Sequence, residues 1–342
     1  MKKKIQNNIF FLIFLITISF SKEKDPLIDE FKAFMKKYNK HYSSESEFEN
    51  RLETYRKNKY RISSLNENSK GVKYKINEFA DMTEEEFIDK NLNMKMNEEL
   101  VSVKEKLLKI PEINISEEEL PENFDWTEKG LKTKIKRQGD CGGCWAFSTN
   151  SLLEAKYKNI TNKTIILSEQ ELIDCSTTNN GCKGGAMEKS FKYLMTTGVG
   201  LEKHYKFEER DELPCRRKDE NAVVKVKNFQ FISDKEVEMK KALIKYGPLA
   251  GAVNSYPLMF YSEGIYEPSF SWFCPPMINH AIVIVGYGEE NGKKFWKVQN
   301  SWGDDWGENG YFRLIRGTGA CGINVYTLTA EAEVIKVVEE DQ

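Results

Sequence analysis

From Leu27 to Lys70 the chain has neither proline nor glycine, and Leu27, Phe31, Phe34 and Tyr38 recur at steps of four, three and four. That is the stripe of an amphipathic helix. Glu47, Arg51, Tyr55, Asn58, Ile62 and Asn66 then share one face of a second helix, at steps of four, four, three, four and four. Tyr74 to Phe79 alternates with the period of a strand. Thr83 follows as an N-cap with Glu86 three residues on, the capping-box spacing that opens a helix through Phe87. Asn91 to Glu119 is acidic, lysine-rich and weakly periodic, which predicts an exposed linker open to cleavage.

Beyond residue 120 the pattern changes. Trp145 to Asn180 again lacks proline and glycine, and Phe147, Leu152, Leu153 and Tyr157 suit a buried helix. Further on, Asn279 to Gly288 is an apolar, β-rich run, and Lys294 to Val298 is a second strand-like segment. Helical stripes thus come early and strand-like runs late.

With 40% hydrophobic and 30% charged residues, 22 Gly and 9 Pro, the 342-residue chain has a globular composition. Collagen, low-complexity and coiled-coil readings are excluded. Its 51 basic residues against 53 acidic ones leave a net charge of −2, so no basic field draws nucleic acid. One membrane-like run stands out: Ile9 to Phe20, after Met1-Lys2-Lys3-Lys4 and before Ser21. Twelve residues reach about 18 Å as a helix, short of the roughly 20 residues a bilayer span needs. Residues 1–21 therefore read as a signal peptide, with no stable membrane anchor, and the destination is the secretory pathway. All seven cysteines lie at or after Cys141, and an odd count in an oxidising compartment leaves at least one thiol unpaired.

Cys144, in Cys141-Gly142-Gly143-Cys144-Trp145, opens the glycine-free helix. There the unpaired N–H groups and the positive end of the macrodipole favour thiolate over thiol. A structural zinc site would need a second close ligand pair, which the seven-residue spacing of Cys175 and Cys182 does not supply. A redox dithiol would need a compact βαβ context. Two plain structural cysteines are opposed by the odd count. A thiolate nucleophile needs a base and a group to orient it. Beyond residue 41 the histidines are His204, in a polar loop-like stretch, and His280, at the start of the β-rich run. Asn300 follows the second strand, so a hairpin could bring it beside His280.

At these residues the chain resembles the papain-like cysteine proteases of the cathepsin L type. The six-residue helical face matches the E-x3-R-x3-F-x2-N-x3-I-x3-N pattern of their inhibitory propeptides with Tyr55 in place of Phe, and Asn77, Phe79 and Asp81 match a later motif whose Gly is Lys75 here. The resemblance implies an α+β fold in two lobes behind a helical inhibitory prodomain: propeptide over 22–119, mature peptidase over 120–342, helical lobe over about 130–222 and β-rich lobe over about 223–330. It implies Cys144 as nucleophile, His280 as acid–base partner, Asn300 as its orienting group, Gln138 as oxyanion donor, and Trp302 as a shield for the Asn300–His280 contact. Disulfides Cys141–Cys182, Cys175–Cys215 and Cys274–Cys321 are implied, where arithmetic alone leaves 15 pairings. Substrate-binding residues would be Gly184, Gly185, Ala186, Met187, Ala252, Ile278, Asn279, Ala281, Trp302 and Tyr326, a set with no acid, so apolar P2 side chains are expected. Gly143 stands where the family commonly has Ser or Ala. No metal or cofactor is expected. The expected partners are peptide and protein substrates and the chain's own propeptide, in a monomer that is lysosomal, vacuolar or extracellular and acts as an endopeptidase. The rivals are a secreted redox protein and a catalytically dead binding homologue.

Overall fold

Asp25 accepts a hydrogen bond from the Leu27 N–H at 3.0 Å and Pro26 occupies the first helical position, so helix α1 begins where both signals coincide and runs Pro26–Lys37. The computed structural model describes residues 25–92, 94, 113–269 and 274–338; the signal-peptide expectation over 1–21 lies outside them. Helix α2 covers Glu45–Asn68. Of the described residues, 25–52 form one unit, in which the Phe31 ring lies 5.7 Å from Phe34, 5.9 Å from Tyr42 and 5.4 Å from Phe48. Residues from Glu53 on form the other.

In the second unit Tyr55, Asn58 and Ile62 are buried. Asn58 Nδ2 donates to the carbonyls of Ala80 (3.0 Å) and Met82 (2.8 Å), tying α2 to the turn before helix α3, Glu84–Asn91. Both arms of the Thr83–Glu86 capping box are present. The strand expected over Tyr74 to Phe79 is cut to β1, Lys73–Tyr74. Asn77 ends it: its Oδ1 accepts from Phe79 N at 3.1 Å and its Nδ2 donates to Met259 O at 2.7 Å, a local turn that replaces the ladder. The linker expectation is also partly overturned, because Asn91, Leu92, Met94 and Ile113 are buried.

The body from residue 113 combines helices α4 (Cys144–Thr161), α5 (Glu169–Cys175), α6 (Met187–Thr197) and α7 (Glu236–Tyr246) with one large sheet. Its strands are β2 (Phe124–Asp125), β3 (Val224–Phe231), β4 (Leu249–Val253), β6 (Ile265–Tyr266), β7 (His280–Glu290), β8 (Lys293–Gln299), β9 (Tyr311–Ile315) and β10 (Thr327–Val334), in the order β3-β10-β4-β7-β8-β9-β6, with β2 added to β7. Strand β5, Tyr261–Glu263, pairs instead with β1. The β-rich part thus recruits residues 124–125, ahead of the helical stretch, and extends past 330. The C-terminal segment continues over the helices, with Val338 N donating to Tyr157 Oη at 2.8 Å. Helix α4 packs on β7 and β10, and α6 on β3, around a shared apolar core.

Disulfides join Cys141 to Cys182, Cys175 to Cys215 and Cys274 to Cys321. A buried ammonium supplies another tie: Lys136 donates to Glu154 Oε1 of α4 at 2.5 Å, to Glu169 Oε1 of α5 at 2.5 Å and to the Leu167 carbonyl at 3.2 Å. Burial pushes both carboxyls above the ordinary carboxylate range, against the pull of that ammonium.

Candidate active site

The segment Lys136–Gln138 straps α4 to the far end of β8. Lys136 O accepts from Gly303 N at 2.9 Å, the Arg137 backbone pairs with that of Trp302 in an isolated antiparallel bridge, and Gln138 N donates to Ser301 O at 2.8 Å. Cys144 is the first residue of α4, with Gly143 as its N-cap. The Cys141–Cys182 disulfide and a 2.9 Å bond from Gly142 N to Cys182 O hold the turn before it. A Cβ on Gly143 would sit 3.1 Å from Ile173 Cδ1 and 3.3 Å from Cys141 Sγ, so the turn is closely packed already.

Cys144 is a free thiol and fully buried. Burial pushes it up to about 11, while the N–H groups of Ala281, Trp145 and Cys144 itself favour its thiolate. Ala281 is the neighbour of His280, so the sulfur lies at the start of β7. Hairpin β7–β8 brings Asn300 back to that point: His280 Nε2 and Asn300 Oδ1 are 2.7 Å apart. The same Oδ1 accepts the Ser301 N–H at 2.8 Å, which fixes it as oxygen. Nε2 therefore carries the hydrogen, and Nδ1 is the nitrogen left for proton exchange. The imidazole is fully buried, and burial pushes it down to about 4 against the Asn300 contact and the Asn91 carbonyl, both of which favour the charged ring. Trp302 lies over the ring at 4.7 Å between centroids.

Gln138 Oε1 accepts from Ser301 Oγ at 2.7 Å, which turns its amide nitrogen toward the Cys141 carbonyl (3.0 Å) and the Asn91 carbonyl (3.4 Å). Asn91 belongs to the segment that covers this site. Upstream, Phe79 and Phe87 stand edge-on to Trp302 at 5.3 and 5.4 Å. Downstream, Met94 N donates to Asn279 O at 3.0 Å, and Met94 joins the buried cluster that contains Met187, Ala252, Ile278, Ala281 and Tyr326. Gly184 accepts from Asn180 N at 2.9 Å, and Ala186 N donates to Asn179 Oδ1 at 2.8 Å. At Gly185 a Cβ would lie 2.8 Å from the Trp145 ring. Tyr326 Oη accepts from Glu188 N at 3.4 Å. His204 is exposed and stands apart from these groups.

Ser301, Asn91 and Met94 went unread in the sequence. Leu92 and Met94, apolar at alternate positions inside a polar run, were the available signal. Among the described residues, no group of three His, Cys, Asp or Glu gathers to hold a metal ion, and no helix is long and apolar enough to cross a membrane.

Residues 120–330 match the model of the papain family cysteine proteases, and residues 31–87 match that of the cathepsin propeptide inhibitor domain. A probable cysteine protease RD19B of Arabidopsis thaliana is 34% identical over 321 residues, covering 89% of this chain and 87% of that protein. A viral cathepsin of Choristoneura fumiferana nuclear polyhedrosis virus is 36% identical over 307 residues, covering 89% and 91%. Among solved structures, a digestive procathepsin L 3 from the larval midgut of Tenebrio molitor aligns with TM-score 0.79 at 29% identity, over 90% of this chain and 99% of that one.

Proposed function

We propose, from the premise that this chain belongs to the papain family of cysteine proteases and carries a cathepsin propeptide inhibitor domain, that Cys144 and His280 form its thiolate–imidazolium pair. The observation that carries this reading is the free Cys144 at the N-terminus of α4, against the N–H of Ala281, which follows the His280 whose Nε2 is held by Asn300.

The chemistry follows from those atoms. His280 Nδ1 takes the thiol proton and sulfur attacks the substrate carbonyl carbon. The developing oxyanion meets the Cys144 N–H and the Gln138 amide, a preorganised donor of this kind being worth about 3 kcal/mol. The imidazolium then protonates the leaving amine, and water, deprotonated by His280, hydrolyses the thioester. Trp302 keeps water from the Asn300–His280 contact.

The family includes zymogens, and the covering segment fits that role. The Asn91 carbonyl lies at the Gln138 donor, and burial beneath the segment favours the neutral thiol and imidazole. The proposed boundaries are a signal peptide over 1–21, propeptide over 22–119 and mature enzyme over 120–342. The cluster around Met94 supports apolar P2 side chains. The short Cys182–Cys215 interval lacks a His-His pair, which supports endopeptidase action; the N-terminal apolar run supports a lysosome, digestive vacuole or extracellular space as its place. Replacing Cys144 with Ala should lower turnover of a P2-Leu peptide by at least about four orders of magnitude and leave the full-length precursor uncleaved in isolation. Self-processing by that variant would overturn the assignment, and a P2-Arg preference in the wild type would overturn the pocket.

A further inference from the structure

We propose that Arg137 sets specificity in the mature enzyme: once the covering segment has left, its guanidinium receives an acidic side chain of the substrate on the leaving-group side of the scissile bond. This rests on the reading of Cys144 and His280 as the reacting pair. Arg137 adjoins Gln138 in sequence, and its backbone pairs with that of Trp302, whose ring covers His280. Its guanidinium lies over Gly303, where a Cβ would fall 2.2 Å from Nη2, so a side chain at 303 would displace it.

In that position it pairs with two carboxylates, Glu78 of the covering segment through Nη1 and Asp305 of the body through Nη2 at 2.5 Å. Glu78 leaves with its segment, and Asp305 stays. The structure thus already holds a peptide carboxylate on Arg137. A planar guanidinium has five donors on separate edges, so Asp305 on one edge leaves another for a substrate acid.

The course of the covering segment supplies the direction. Phe79 and Phe87 meet Trp302, Asn91 meets Gln138, and Met94 enters the apolar cluster with Ala252 and Ile278. A substrate whose P2 side chain fills that cluster lays its acyl half there. Its leaving half then runs toward Trp302 and Arg137.

The test uses acid-treated mature enzyme, titrated at Cys144, and internally quenched peptides with leucine at P2. Glu or Gln is placed at each of the first three positions after the scissile bond. At one of them kcat/KM for Glu should exceed that for Gln by about threefold to tenfold. The ratio should shrink toward one in about 0.5 M salt, fall to about one in Arg137→Gln, and persist in part in Arg137→Lys. A ratio of one at all three positions, or an acid preference on the acyl side, overturns the inference and leaves the reacting pair standing. Wild-type enzyme that cleaves no peptide and takes no thiol-directed label overturns that pair and this inference with it. The wild-type ratio and its salt dependence need no variant, so poor folding of Arg137→Gln does not remove the test.

Discussion

The stretch from Glu53 to Met94 and the body from Ile113 onward are held by different means. The body has three disulfides, a continuous sheet and a buried Lys136 ammonium between two carboxylates. The covering stretch has no disulfide. It attaches through the β1–β5 pairing, Asn77 on Met259, two phenyl rings on Trp302, the Met94–Asn279 backbone bond and charged pairs that include Glu78–Arg137 and Lys90–Asp140. The body is therefore secured in part by covalent bonds, and its cover by noncovalent ties alone, buried though several of them are. A cover built this way can come off without the body unfolding.

The largest effect expected on this contrast is in the body. Lys136→Met leaves Glu154 and Glu169 buried without their cation and should destabilise the mature enzyme by about 3–5 kcal/mol, measured by denaturant unfolding. An unchanged midpoint would show that the ammonium contributes little. Phe79→Ala acts on the other side of the contrast. It should weaken inhibition by a separate propeptide by about 3 kcal/mol, roughly a hundredfold in inhibition constant, because the lost ring packs on both Phe87 and Trp302.

The third effect is on reactivity and has a definite pH sign. With the thiol pushed up to about 11 and the imidazole down to about 4, the covered site holds the neutral pair across the intervening range. Iodoacetamide should label Cys144 of the precursor slowly at pH 6 and faster as pH climbs toward the thiol value. Opening the site should raise the pH 6 rate at least about a hundredfold by restoring solvent and the ion pair. Equal rates before and after opening would remove burial as the cause. The smallest effect belongs to the α3 cap, where Thr83→Ala should cost about 1 kcal/mol of cover stability, visible as weaker inhibition by the propeptide.

Much of this was legible from sequence because it rests on local rules. The Thr83–Glu86 box, the Tyr55, Asn58 and Ile62 face and the start of α4 at Cys144 each depend on residues within a turn or two. The His280–Asn300 contact was legible because two adjacent strands bring it about. What escaped depends on where distant segments meet. Nothing local marks the Asn91 carbonyl as a partner of Gln138, and an acidic, lysine-rich run beyond it disguised Met94 as linker. Period-two alternation makes Asn77 a strand residue because it carries no account of a side chain that bonds its own backbone. The Glu78–Arg137 pair joins residues 59 positions apart and has no periodic signature.

The β1–β5 pairing has one more consequence. When Lys73–Tyr74 departs, the backbone donors and acceptors of Tyr261–Glu263 lose their neighbour and face water. Long, flat, greasy margins of that sort invite other chains to stick. This one is three residues long and ends in a carboxylate, so the margin uncovered on maturation offers other chains little to hold.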